Sequence, residues 1–177
     1  MDKNIVITCV GPDQVGLVDR VTALILKKSG NIEESRMARL GGEFAMLLLV
    51  TLPESNLDAL NNDLTDLQSN GYHIYTRETG DKISSRFKGW VPFDLNVTGA
   101  DHEGILHSIT HSLAEKNINV ELLDTHITSA PMSGTPLFTM NAVILVPPDL
   151  PNKTWNEPLE QAGRDANVNI SVTPYTG

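Results

Sequence analysis

The hydrophobic pattern changes period several times along the chain, and each change marks an element. "NIVITCV" at 4–10 is a short apolar run that predicts a strand. Leu17, Val21, Leu24 and Ile25 then recur at helical spacing. Gly30 is placed to end that helix as a left-handed cap residue. "NIEESRMARL" and "EFAMLLLVTL" predict a hairpin, with Gly41-Gly42 supplying a tight turn. Leu57, Leu60, Leu64 and Leu67 mark one face of a second helix that stops at Gly71, and "HIYTR" follows as a last strand. The predicted order is β-α-β-β-α-β.

The same order returns in the second half. "FDLNVTG" predicts a strand, His102–Lys116 a helix, and Asn119–Thr128 with Leu137–Val146 a hairpin. Trp155, Leu159, Ala162 and Ala166 mark a helix, in whose first turn Pro158 is expected because an amide donor is dispensable there. "NVNISVTPY" predicts the final strand. Gly11, Asp13, Gly16, Asn31 and Glu33 recur 88 residues later as Gly99, Asp101, Gly104, Asn119 and Glu121. The offset then grows by six residues, which fall in the loop "TSAPMSGTP".

The chain therefore reads as a duplicated ferredoxin-like unit, of α+β class, with two helices on one face of each four-stranded antiparallel sheet. The expected limits are 1–78 and 93–177, with the polar stretch 79–92 as linker. Where the second helix carries Ile118 in place of Gly30, its end is expected at Asn117.

Charge narrows the function. With 22 acidic against 13 basic residues, net charge −9 and a pI near 4.9, the chain lacks the clustered cations that displace counterions from phosphates. Its richest basic stretch holds Arg77, Lys82, Arg86 and Lys88 but also Glu78 and Asp81. Direct nucleic-acid binding is not expected. No apolar run reaches the ~18 residues of a membrane span, and no leader is recognisable at the N-terminus. The single cysteine, Cys9, reads as a buried strand residue and fits a reducing, cytoplasmic setting.

Candidate chemistry concentrates in the repeated G-x-D-x-x-G turn. A helix N-terminus presents free amides and partial positive charge, which suits a carboxylate. Asp13 and Asp101 could accept from an ammonium, or could simply cap their helices. Glu103, His107 and His111 lie four apart and would share a helix face, expected to point to solvent rather than to hold a metal. His73 and His126 fall in strands without a visible partner. No nucleophile–base pattern or phosphate-cradling motif occurs, and neither "GPDQVG" nor "GADHEG" has the arginine that an acyl phosphatase would want.

The string "GPDQVGLVDRVTALILKKSGNIEESRMARLGGEFAMLLLV" resembles the ACT domain, most specifically in "NIEESRMARLGGEF". Within that family the chain is similar to the glycine cleavage system transcriptional repressors, which carry two ACT domains. The resemblance implies a non-enzymatic regulator that senses an amino acid, with glycine expected. It would act on a protein partner such as a transcriptional activator. No cofactor or membrane is implied, and a homodimer is compatible with it. ACT domains bind ligand between paired modules, at the loop after the first strand and the start of the second. Those positions here are Asp13, Gln14, Gly16, Asn31 and Ile32, then Asp101, His102, Gly104, Asn119 and Val120. The replacements of Pro12 by Ala100 and of Val15 by Glu103 make the second loop the weaker candidate. The alternatives are a stand-alone regulatory subunit of an amino-acid metabolic enzyme, or a small ferredoxin-like enzyme.

Overall fold

A computed structural model describes residues 1–80 and 86–176. The chain forms two compact units, Met1–Ile83 and Ser84–Gly177. In the first, β1 (Asp2–Pro12), α1 (Leu17–Lys27), β2 (Asn31–Leu40), β3 (Glu43–Pro53), α2 (Leu57–Gln68) and β4 (His73–Thr79) build an antiparallel sheet of order β2-β3-β1-β4. In the second, β5 (Val91–Ala100), α3 (Ile105–Glu115), β6 (Asn119–Ser129), β7 (Pro136–Val146), α4 (Asn152–Asp165) and β8 (Val168–Pro174) build β6-β7-β5-β8. The ferredoxin-like plan thus occurs twice. Of the expected linker 79–92, residues 81–85, Asp81 and Lys82 among them, lie outside the described residues. Residues 86–89 form a turn in which Phe87 meets Trp90 edge-on at 4.9 Å.

Alternation along the strands sends one set of side chains to the helices. Ile5, Ile7 and Cys9 of β1 and Met46, Leu48 and Val50 of β3 are buried with Leu17, Val21 and Ile25 of α1 and with Leu60 and Leu64 of α2. Cys9 is fully buried, and desolvation pushes its thiol pKa up. The second core repeats this with Leu95, Val97, Met140, Ile144, Ile109, Leu113, Trp155 and Leu159. Gly41 and Gly42 both have positive φ, as the two-residue hairpin requires, while residues 130–135 form the longer loop of the second unit.

Three local expectations need correction. The left-handed residue after α1 is Ser29 (φ 57°), not Gly30. Gly30 N–H donates to the Ile25 carbonyl at 2.9 Å and Ser29 N–H to that of Leu26 at 2.9 Å, a Schellman ending. The second unit ends α3 identically, with Asn117 (φ 54°) left-handed and Ile118 donating to Leu113. Gly30 answers to space instead: a Cβ there would lie 2.8 Å from Ile25 Cγ2. Next, Pro158 is not in the first turn of α4. The helix starts directly after Pro151, so Pro158 is its seventh residue, and the Thr154 carbonyl lacks its intrahelical donor. Burial of Trp155 and Leu159 on either side fixes the helix there despite that loss. Finally, α3 begins at Ile105 rather than His102, because Gly104 takes a left-handed conformation (φ 91°) just before it.

Candidate functional site

The two turns share one construction. Gly11 and Gly99 sit where a Cβ would meet the entry to the last strand of each unit, 2.5 Å from Tyr72 Cδ1 and 2.7 Å from Val168 Cγ1 respectively. The first glycine of the motif therefore serves close approach. The last serves backbone conformation: Gly16 (φ 86°) and Gly104 (φ 91°) are the N-cap residues of α1 and α3 and have open space around them. Between them, Asp13 N–H donates to the Gly42 carbonyl at 3.1 Å and Asp101 N–H to that of Pro136 at 2.9 Å. Each turn is thereby pinned to the adjoining hairpin.

Neither aspartate caps its helix. No side chain caps α1 or α3. The capping reading of Asp13 and Asp101 is thus overturned, because the left-handed glycine itself occupies the N-cap. Asp13 instead pairs with Arg39 at 3.6 Å, an exposed contact across to the hairpin that sequence spacing could not reveal. Gln14 contributes its carbonyl, which accepts from Leu17 N–H at 3.2 Å.

The second turn is held differently. His102, at the position of Gln14, brings Nε2 within 2.7 Å of the Ala166 carbonyl and Nδ1 within 2.9 Å of the Glu103 carbonyl. Two carbonyls can both be satisfied only by an imidazolium, which donates from both nitrogens. The backbone bonds to Ala166 and then Glu103 raise the His102 pKa above its ordinary value. The first unit makes the corresponding tie from the other side, with the Tyr72 hydroxyl donating to the Pro12 carbonyl at 3.2 Å.

The strand-start candidates lie elsewhere. Asn31 pairs with Thr51 and Asn4 beside it, whereas the turn follows Pro12 at the opposite sheet end. Eight residues of strand separate the two ends, about 27 Å at strand rise. Within one unit, Asp13, Gln14 and Gly16 are therefore not brought together with Asn31 and Ile32. Asp101, His102 and Gly104 are separated from Asn119 and Val120 in the same way. Ile32 and Val120 turn their side chains to the core, leaving main chain for contact. Asn31 Nδ2 donates to Glu33 Oε1 at 2.8 Å. The register of β2 shifts between Ile32 and Glu34, and that of β6 between Val120 and Leu122, so a bulge recurs beside both asparagines.

The histidine stripe does not form a three-residue set. Glu103 precedes Gly104 and lies outside α3. His107 and His111 stack at 5.7 Å, and His111 approaches Glu115 at 3.6 Å. Both line an open groove of about 430 Å³ between α3 and α4. Among the described residues no group of three histidine, cysteine or acidic side chains is placed to hold a metal. Nor is any described helix long and apolar enough to cross a membrane.

Two βαββαβ units with duplicated G-x-D-x-x-G turns define the class, and comparison with known proteins supplies the family. The ACT domain family model matches residues 3–74. The UPF0237 protein YjhC of Lactococcus lactis is 33% identical over 60 residues, spanning 34% of this chain and 69% of that one. A UPF0237 protein of Methanococcus maripaludis is 36% identical over 69 residues, 38% of this chain and 77% of the relative. An unknown protein from Galdieria sulphuraria aligns over 99% of this chain and 100% of its own, with TM-score 0.88 and 30% identity. A protein provisionally described as a glycine cleavage system transcriptional repressor covers 100% of this chain and 99% of its own, with TM-score 0.71 and 21% identity, and so shares the fold. The chain belongs to the ACT-domain family.

Proposed function

We propose that this chain is an amino-acid-sensing regulator that acts through a protein partner without binding DNA, with the first turn as its principal ligand site. The observation that carries the reading is the difference between the turns. α1, like α3, starts at a left-handed glycine with no side-chain cap, and what sets the first turn apart is Asp13, exposed beside Arg39. A ligand carboxylate would take the α1 N-terminus and its ammonium the Asp13 carboxylate. At the second turn the His102 ring is already bonded to two carbonyls. A small amino acid cannot span about 27 Å of strand. Asn31 and the main chain of Ile32 would thus join the site only where a second ACT module supplies them.

Glycine is the expected ligand and glycine cleavage the expected setting. The fold shared with the provisionally described repressor supports this reading, as does the acidic balance that disfavours DNA. The expected modules, 1–78 and 93–177 with linker 79–92, are adjusted to keep Thr79 with β4 and Val91 and Pro92 with β5, and the location is assigned to the cytoplasm. Affinity capture from cell extract, with and without glycine, is the test. Recovery of a transcription factor whose yield changes with glycine is expected. Recovery of a metabolic enzyme would assign the chain as that enzyme's regulatory subunit, and turnover of an acyl phosphate would make it a catalyst; either overturns the reading.

A further inference from the structure

The sheet surface opposite the helices differs sharply between the units. In the first unit the outward rows, read from β2 across β3 and β1 to β4, are Glu34–Leu49–Val6–Arg77, Arg36–Leu47–Thr8–Tyr75 and Ala38–Ala45–Val10–His73. In these rows five of the six central positions are apolar, Thr8 being the exception, and the charged side chains stand on the two edge strands. Leu47 is 47% and Tyr75 66% exposed. In the second unit the corresponding central positions are Val143, Asp94, Asn141, Asn96, Thr139 and Thr98. One face is suited to burial and the other to water.

The register restricts what can cover the first face. A two-fold axis parallel to the strands lays β2 of one copy over β4 of another and keeps each row in place. Glu34 then meets Arg77 of the second copy, twice by symmetry. Arg36 meets the Tyr75 ring, an arrangement suited to cation–π contact, and Leu49 meets Val6. A two-fold perpendicular to the strands and centred on the middle row would set Arg36 against Arg36. In the isolated chain Glu34 pairs with Arg36 at 2.9 Å, and Arg77 has no ion pair among the described residues. The same parallel axis applied to the second unit would bury Asp94 against Val143, with no cation to meet it.

We propose that the outer sheet face of the first unit is a self-association surface, on which a second copy docks face to face about an axis parallel to the strands. The surface is separate from the proposed ligand site and does not depend on it. Four strands about 4.8 Å apart and about 20 Å of strand length give a footprint of about 400 Å² per copy. That places the dimer at the weak end of specific interfaces, with dissociation in the micromolar range.

Sedimentation equilibrium of the full chain over a wide concentration range tests it. The parent is expected to dimerise reversibly. Leu47→Asp should abolish the dimer. Glu34→Arg and Arg77→Glu should each weaken it about tenfold or more, and the double charge swap should restore it. Asn141→Leu, which adds apolar surface to the second unit's face, should leave it unchanged. All these positions are solvent-accessible, and circular dichroism confirms that each variant is folded. A parent that stays monomeric up to on the order of 10⁻⁴ M overturns the proposal. So does a dimer insensitive to Leu47→Asp, or single swaps that the double swap fails to rescue.

Discussion

The ends of α1 and α3 are the same ending written with different residues, and comparing them shows what duplication keeps and what it releases. Hydrogen bonds match atom for atom: Gly30 to Ile25 in one unit, Ile118 to Leu113 in the other. The side chains do not match. β-Branched Ile25 fills the space beside Gly30, whereas Leu113, branched at Cγ rather than Cβ, leaves room for a buried Ile118. Backbone geometry is retained while volume is redistributed between positions five apart. The two turns obey the same rule. Gly11 and Gly99, and Gly16 and Gly104, answer identical backbone demands, but the ties that hold each turn come from Tyr72 in one unit and His102 in the other.

The largest effect expected from exchanging parts is at that helix end. Gly30→Ile should destabilise the first unit by about 1–3 kcal/mol, since the new side chain collides with Ile25. Adding Ile25→Leu should recover part of the loss, and a double-mutant cycle by urea denaturation measures the coupling. Strict additivity would contradict the compensating-volume account.

A smaller difference is expected at the left-handed residues. Ser29→Gly should stabilise by up to about 1 kcal/mol, because serine gains little in that conformation. Asn117→Gly should gain only a few tenths, since asparagine tolerates it. Chemical denaturation of the two variants ranks them, and equal gains would break the comparison.

The subtlest difference is in pH dependence. Raising the His102 pKa in the folded state means that the imidazolium latch stabilises below its unfolded pKa of about 6.5 and is lost as pH rises through the raised folded value. Gln14, its counterpart, has no such titration. NMR titration of the histidine ring should give a pKa above the ordinary value. His102→Gln should flatten the pH dependence of stability in that window. A ring that titrates at or below the ordinary value would remove the latch.

Much of the fold was legible because burial has a period. Alternation identified both sets of strands, helical spacing identified Leu17, Val21 and Ile25, and Gly41-Gly42 announced the tight hairpin. The misreadings arose where a residue answers to a distant neighbour. Gly30 looked like a left-handed cap but is small because of Ile25. Pro158 looked like a helix start but is held mid-helix by Trp155 and Leu159. In the candidate site the repeated turn could be read directly, whereas Arg39, Tyr72 and Ala166 reach it across gaps that no spacing encodes. The bulges at Glu33 and Glu121 repeat at matched positions, yet nothing in their local composition distinguishes them from regular strand.

The claim that the first turn senses an amino acid while the second is latched rests most directly on calorimetric titration of the full chain. A panel of amino acids including glycine would be compared on the parent and on four variants. Binding is predicted for at least one small amino acid. Where a second copy brings Asn31 to the turn, Asn31→Ala should weaken it about 5–150-fold through a lost hydrogen bond. Gly16→Val should weaken it too, by disturbing the left-handed start of α1. Gly104→Val and Asn119→Ala, once shown to be folded, should bind nearly as the parent does. No heat with any amino acid, or an equal loss from the variants of the two units, would contradict the account.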